Sequence, residues 1–236
     1  AQPASKLTLD NARLNKNRTH LRVMDNNTAL NATPGEHPAT ITGTEFTCEQ
    51  INSPGNDLKP PHDGEFTNRA IFISNVEDAN SIGDGFIVGV PGGDTNYFDH
   101  AHYGVYGVES SFKVINSKFT DMDKPAGPQS CANPPCPGTA VYGSGADDTR
   151  ITVGSTDPQD GNLFRDCYHA VDAYRYRQVE ILNNEINERI NNPNPNLTGV
   201  RGILVELGYQ KIWDIRIENN HIRDYREGIS MFNLVS

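Results

Sequence analysis

Five stretches of the chain repeat one arrangement of eight positions: apolar, any, apolar, any, Asn or Gly, two spacers, apolar. They are Leu7-Leu9-Asn11-Leu14, Ala39-Ile41-Gly43-Phe46, Phe112-Val114-Asn116-Phe119, Val179-Ile181-Asn183-Ile186 and Ile215-Ile217-Asn219-Ile222. A sixth copy, Ile151-Val153-Ser155, is broken by a loop before Phe164, and a seventh, Ile71-Ile73-Asn75, is partial. Apolar residues two apart predict a strand with one side inward, and the polar position predicts a corner before a second strand. Another element, Gly or Ala followed by apolar-any-apolar, occurs at Gly85-Phe86, Gly104-Val105, Ala170-Val171, Gly202-Ile203 and Gly228-Ile229. Short strands and corners repeating on this scale predict an all-β solenoid. The competing reading is an antiparallel sandwich of similar short strands.

Rung starts are expected at 7, 39, 71, 112, 151, 179 and 215, giving six or seven irregular rungs. An uninterrupted rung needs only about 20 residues or slightly more, so each rung here carries a long loop. The richest in Pro and Gly span 52–64, 91–99 and 124–138, with polar turns at 157–162 and 191–198. Loops of this length on a rigid scaffold are common places for binding. One domain is expected over 1–236, with no linker. The last repeat, ending near Asn233, has no visible polar cap, which predicts a segment of a longer chain or a covered end.

Composition narrows the function more than the fold. Apolar residues make up 36% of the chain, enough for the narrow core of a solenoid, and helical periodicity is scarce. The net charge of −10, with no basic run, excludes a phosphate-binding nucleic-acid surface. No apolar stretch is long enough to span a bilayer. Cys131 and Cys136 flank Ala-Asn-Pro-Pro and are candidates for a short disulfide, with thiols or a metal as alternatives. Cys48 and Cys167 sit near strand ends, where buried thiols are expected.

The segment Ile215-Arg216-Ile217-Glu218-Asn219-Asn220-His221-Ile222, followed by Gly228-Ile229-Ser230-Met231, resembles repeats of the right-handed parallel β-helix of the pectate-lyase-like superfold. The resemblance covers the whole chain and rests on structural motifs. It implies parallel sheets along the solenoid and an Asn ladder at the corner (Asn11, Asn116, Asn183, Asn219). It implies the secreted or cell-surface setting of many such bacterial proteins, and it leaves the activity open. Asp147-Asp148 occurs without the Asn-Thr-Asp and Gly-His-Gly of polygalacturonase-like hydrolases, and the Arg segment of the pectate lyases is absent.

Aligning the Gly/Ala-led strands sets Asp172 and Tyr174 outward on one rung and Leu204 and Glu206 outward on the next. Asp172 and Glu206 then stand roughly 7–8 Å apart on the diagonal. Two carboxyls at that separation suit an inverting glycosidase, one protonating the leaving oxygen and the other activating water. Tyr142, Tyr174 and Trp213 are candidates to stack on sugar rings, and Arg175 and Arg177 to pair with uronate carboxylates. The plainer alternative is a solvated polar face. Calcium is the one cofactor the loops suggest: Asp157, Asp160 and Asn162 offer oxygen ligands, as do Asp121 and Asp123. In Asp99-His100-Ala101-His102 the two imidazoles are expected on one side of an extended segment, where a transition metal could bind.

The first functional expectation is a non-enzymatic β-helix module, a rigid scaffold presenting loops to a polysaccharide or partner protein. The alternative is a carbohydrate-active hydrolase or lyase using Asp172 and Glu206. A third is a subunit stacked end to end, suggested by the bare last rung.

Overall fold

The computed structural model describes residues 7–15, 17, 19–24, 39–47, 67–76, 85–122, 138–146, 148–187, 201–207 and 214–233. Three strands make each rung. The first two rungs comprise β1 (Leu7–Asp10), β2 (Arg13–Asn15), β3 (Thr19–Met24), β4 (Ala39–Thr42), β5 (Glu45–Thr47) and β6 (Thr67–Ser74). The third and fourth are β7 (Phe86–Val88), β8 (Asn96–Asp99), β9 (Ala101–Val108), β10 (Phe112–Val114), β11 (Ser117–Thr120) and β12 (Thr139–Ser144). The fifth and sixth are β13 (Arg150–Gly154), β14 (Leu163–Arg165), β15 (His169–Tyr174), β16 (Gln178–Leu182), β17 (Glu185–Asn187) and β18 (Arg201–Leu207). The seventh is β19 (Asp214–Glu218), β20 (His221–Arg223) and β21 (Glu227–Asn233).

Every strand pairs in parallel with its counterpart one rung away, which excludes the antiparallel sandwich. The first face holds the pair β1-β4, with β4 lying beside the five-stranded run β7-β10-β13-β16-β19. The second face is the seven-stranded sheet of β2, β5, β8, β11, β14, β17 and β20. The third runs from β3 to β21 through β6, β9, β12, β15 and β18. The chain is therefore a parallel β-helix. No helix among the described residues is long and apolar enough to cross a membrane.

The eight-position repeat is the first strand, the corner and the second strand; the Gly/Ala-led element is the third at Gly104, Ala170, Gly202 and Gly228, whereas Gly85-Phe86 leads β7, a first strand. A second assignment is corrected with it. Ile71 and Ile73 belong to β6, the third strand of the second rung, and the third rung begins at Phe86. Both strands alternate apolar residues before a corner, so spacing alone did not separate them.

Single residues in the left-handed backbone region make the corners. Between the first and second faces these are Asn11, Gly43, Asn116, Asn183 and Asn219. Between the second and third they are His100, Asp121, Asp166 and Asp224, and Asn75, Glu109 and Arg175 lead back to the first. Gly, Asn and Asp tolerate this conformation best, which is why polar residues punctuate the pattern.

The polar ladder is real but lies one residue after the corner positions expected for it. Asn162 Nδ2 donates to Val114 O at 2.9 Å and to Asn184 Oδ1 at 2.9 Å, while its own Oδ1 accepts from Ser117 N. Asn184 repeats this with Val153 O and Asn220, and Asn96 does so with Ile41 O and Thr44 N. Asn116 and Asn183 instead donate to carbonyls of loop residues such as Gly93 and Ser155. Asn184 and Asn220 directly follow left-handed corners, whereas Asn162 follows the extended Gly161; in each case the side chain meets backbone groups that the turn leaves unpaired.

Inside, β2, β5, β8, β11, β14, β17 and β20 stack one apolar side chain each. Phe46, Phe98, Phe119 and Phe164 form a continuous pile, with successive centroids 4.7, 4.5 and 5.0 Å apart. That repeat matches the spacing of hydrogen-bonded strands. All four rings are fully buried, each contributing roughly 1.5–3 kcal/mol from burial. In β9 a small residue, Gly104, faces this pile. A Cβ on Gly104 would lie 2.5 Å from the Phe119 ring and 2.6 Å from Ala140 O. Gly or Ala is needed there because the ring and the next strand already fill the space.

Candidate functional site: the outward face of the third sheet

β15 does not alternate regularly. Ala170 and Val171 are both packed in the core, so His169 and Asp172, three residues apart, emerge together on the outward side. A regular strand would put them on opposite sides. Strict alternation therefore hid His169 from the sequence reading; its adjacent small residue, Ala170, was the available signal.

His169 Nδ1 lies 2.7 Å from Asp172 Oδ2, with Asp172 0% and His169 1% exposed. The imidazole stacks on Tyr168 at a centroid distance of 5.0 Å. Among the described residues Asp172 Oδ1, which is buried, finds no hydrogen-bond partner, and the same holds for the Tyr174 hydroxyl. Register fixes the surroundings. His169 sits between Thr139 and Arg201, Asp172 between Tyr142 and Leu204, and Tyr174 between Ser144 and Glu206.

Aromatic side chains extend this row along earlier rungs. Phe72, Tyr106 and Tyr142 occupy the same register position as Asp172. Tyr106 and Tyr142 stack at 4.6 Å, and Tyr142 and Tyr174 lie 5.4 Å apart. Tyr103 packs edge-on against Tyr106 at 5.0 Å. The Arg69 guanidinium lies 4.8 Å from the Phe72 ring centre and 4.3 Å from that of Tyr106. Such contacts hold a cation over the electron-rich ring faces. The cluster of Tyr103, Tyr106, Tyr142, Tyr174 and Leu204 is buried separately from the core inside the coil.

Burial governs the phenols. It pushes the Tyr142 hydroxyl up to about 12, with added repulsion from Tyr106 and Asp172. Tyr174 is raised further, by burial first and then by Asp172. Burial also raises Tyr103, and it raises Tyr106 against the opposing pull of Arg69. These hydroxyls stay protonated across the neutral range and so keep a proton to donate.

Asp172 and Glu206 lie on the same outward face, on adjacent strands and two positions out of register. Glu206 is half-buried, whereas Asp172 is enclosed and bonded to His169. Tyr142 and Tyr174 lie beside them. Arg175 and Arg177 do not: both are exposed at the corner between the third and first faces. The face carries Arg22, Arg69 and Arg201 instead, and Arg201 Nε bonds Glu227 Oε2 at 2.8 Å. Trp213, Cys48, Cys131, Cys136 and Asp123 lie outside the described residues, and Cys167 is buried.

The expected calcium ligands are engaged elsewhere. Asp157 accepts from Gln159 N at 3.0 Å, capping a short turn, and Asp160 Oδ1 accepts from Gly92 N at 2.7 Å. Asn162 belongs to the inner polar ladder. Asp121 is an exposed corner residue. The expected side-by-side imidazoles are also revised. His100 is itself a left-handed corner, bonded to Asp99 at 2.6 Å, and this breaks the extended segment before His102. Among the described residues no three His, Cys, Asp or Glu side chains gather as a metal site.

The chain matches no family model, no curated protein and no solved structure, so its site is read from its own geometry.

Proposed function

We propose that the chain is a β-helix module of a secreted or cell-surface protein that binds a polysaccharide along the outward face of its third sheet. The resemblance of its repeats to the pectate-lyase-like type supports the setting, and the net charge of −10 argues against nucleic acid. The observation that carries the reading is the row Phe72, Tyr106, Tyr142 and Tyr174, with ring-to-ring steps of 5.9, 4.6 and 5.4 Å. Aromatic faces and protonated phenols together suit sugar rings, which present both C–H faces and hydroxyls. The rings are packed on one another, so a ligand enters by replacing ring–ring contacts, and association is slowed accordingly.

A second reading, a carbohydrate-active enzyme, is favoured by Asp172 and Glu206 sharing this face beside His169. Affinity electrophoresis and calorimetry against xylan, mannan, polygalacturonate and alginate test both. Retardation by one polymer, weakened in Tyr142→Ala, is expected; no binding to any removes the proposal. Turnover that disappears in Asp172→Asn replaces the module with the enzyme.

A further inference from the structure

Asp172 Oδ1 and the Tyr174 hydroxyl are closed to solvent and find no hydrogen-bond partner among the described residues. Buried polar atoms are nearly always satisfied, so two orphans on one side of one strand point to a missing partner. They belong to residues two apart on β15, about 7 Å at the backbone, within the span of one sugar unit. Asp172's other oxygen is held by His169, which fixes the carboxyl and leaves Oδ1 as its remaining acceptor. Register sets Glu206 directly beside Tyr174.

The chemistry on offer is selective. An acceptor carboxylate oxygen and a phenol call for a ligand rich in hydroxyl donors. Asp172 and Glu206 would repel a ligand carboxylate. Arg201, the arginine next to His169 in register, already has its Nε on Glu227.

We infer that Asp172 Oδ1 and the Tyr174 hydroxyl form a subsite for a neutral, hydroxyl-rich sugar unit, with one sugar hydroxyl donating to Asp172 and another exchanging a hydrogen bond with Tyr174. The inference rests on the glycan-binding reading and adds the class of sugar. His169 is a positioning residue for Asp172.

Calorimetry on the full chain with xylohexaose, mannohexaose and oligogalacturonate tests it. A neutral oligosaccharide should bind, and oligogalacturonate should bind at least roughly tenfold more weakly. Tyr174→Phe should weaken the neutral ligand by roughly tenfold with no loss of unfolding stability, because its hydroxyl has no hydrogen-bond partner among the described residues. Asp172→Asn should weaken it by at least as much; if that variant does not fold, Tyr174→Phe decides. Unchanged affinity in Tyr174→Phe, or oligogalacturonate binding as tightly as the neutral sugars, overturns the subsite and leaves glycan binding standing. A sugar-soaked crystal with only a trapped water bridging the two atoms overturns it as well. If the wild-type chain binds no oligosaccharide or polysaccharide, the glycan-binding reading falls too.

Discussion

His169 and Asp172 meet at 2.7 Å on the outward side of β15, both closed to solvent, because the strand turns Ala170 and Val171 inward in succession. Asp172→Ala leaves the buried Nδ1 without its acceptor and opens space. A destabilisation of about 2–4 kcal/mol is expected from the lost hydrogen bond and the cavity. Urea denaturation measures it, and a change under about 0.5 kcal/mol would show that the pair contributes no stability.

Asn162 serves three rungs at once, through Val114 O, Asn184 and Ser117 N. Asn162→Ala takes the side-chain partner from Val114 O and Ser117 N on one side and a donor from Asn184 Oδ1 on the other. The expected cost is about 2–3 kcal/mol, well above that of Asn183→Ala at the outer corner. Equal costs for the two variants would place the ladder in the wrong column.

Gly104 faces the phenylalanine pile with no room for a methyl group. Gly104→Ala should destabilise by about 1–3 kcal/mol through overpacking. Phe119→Ala, which removes a ring from the middle of the pile, should cost about 3–5 kcal/mol. Thermal unfolding of both variants checks the contact, and a neutral Gly104→Ala would contradict it.

Among the described residues, five tyrosines have raised phenols: Tyr103, Tyr106, Tyr142, Tyr174 and Tyr176. Absorbance titration of the folded protein should show these ionising late, or only on unfolding. In the unfolded chain each titrates near 10.0, while folded Tyr142 is pushed up to about 12. The unfolded state therefore releases protons first as pH rises. Stability is full below about pH 10 and is lost above it. Ionisation of all five together near the ordinary value, with the fold intact, would refute the burial of this cluster.

On the acid side, burial lowers His20 from 6.5 to about 4. The unfolded chain takes up a proton first as pH falls, so stability is present above 6.5 and declines towards 4. His20→Phe should flatten that part of the stability curve in urea titrations at stepped pH. An unchanged acid slope would exclude His20 as its source.

Two of the three strands were legible in the first, second, fourth, sixth and seventh rungs because their chemistry is local. Alternating aliphatics must bury one side, and Asn or Gly must supply the left-handed corner, wherever Leu9-Asn11 or Ile181-Asn183 occurs. The Gly/Ala-led strand was visible too, although its reason, the neighbouring Phe119 ring, lies on another face. The sequence could not tell β6 from the start of a rung, because Ile71-Ile73-Asn75 satisfies the same local rule as a first strand.

By itself the sequence pointed to the solenoid through inward-facing positions repeating at strand spacing, while the parallel pairing that excludes an antiparallel sandwich was decided by the tertiary structure. The sequence also set Asp172, Tyr174 and Glu206 on one side of the third-face strands. Only the tertiary structure decided that His169 joins them, that Arg175 and Arg177 turn away at a corner, and that the working ladder runs through Asn162 and Asn184. Each of these depends on where one backbone step departs from regular alternation, and the packing of adjacent rungs fixes that step.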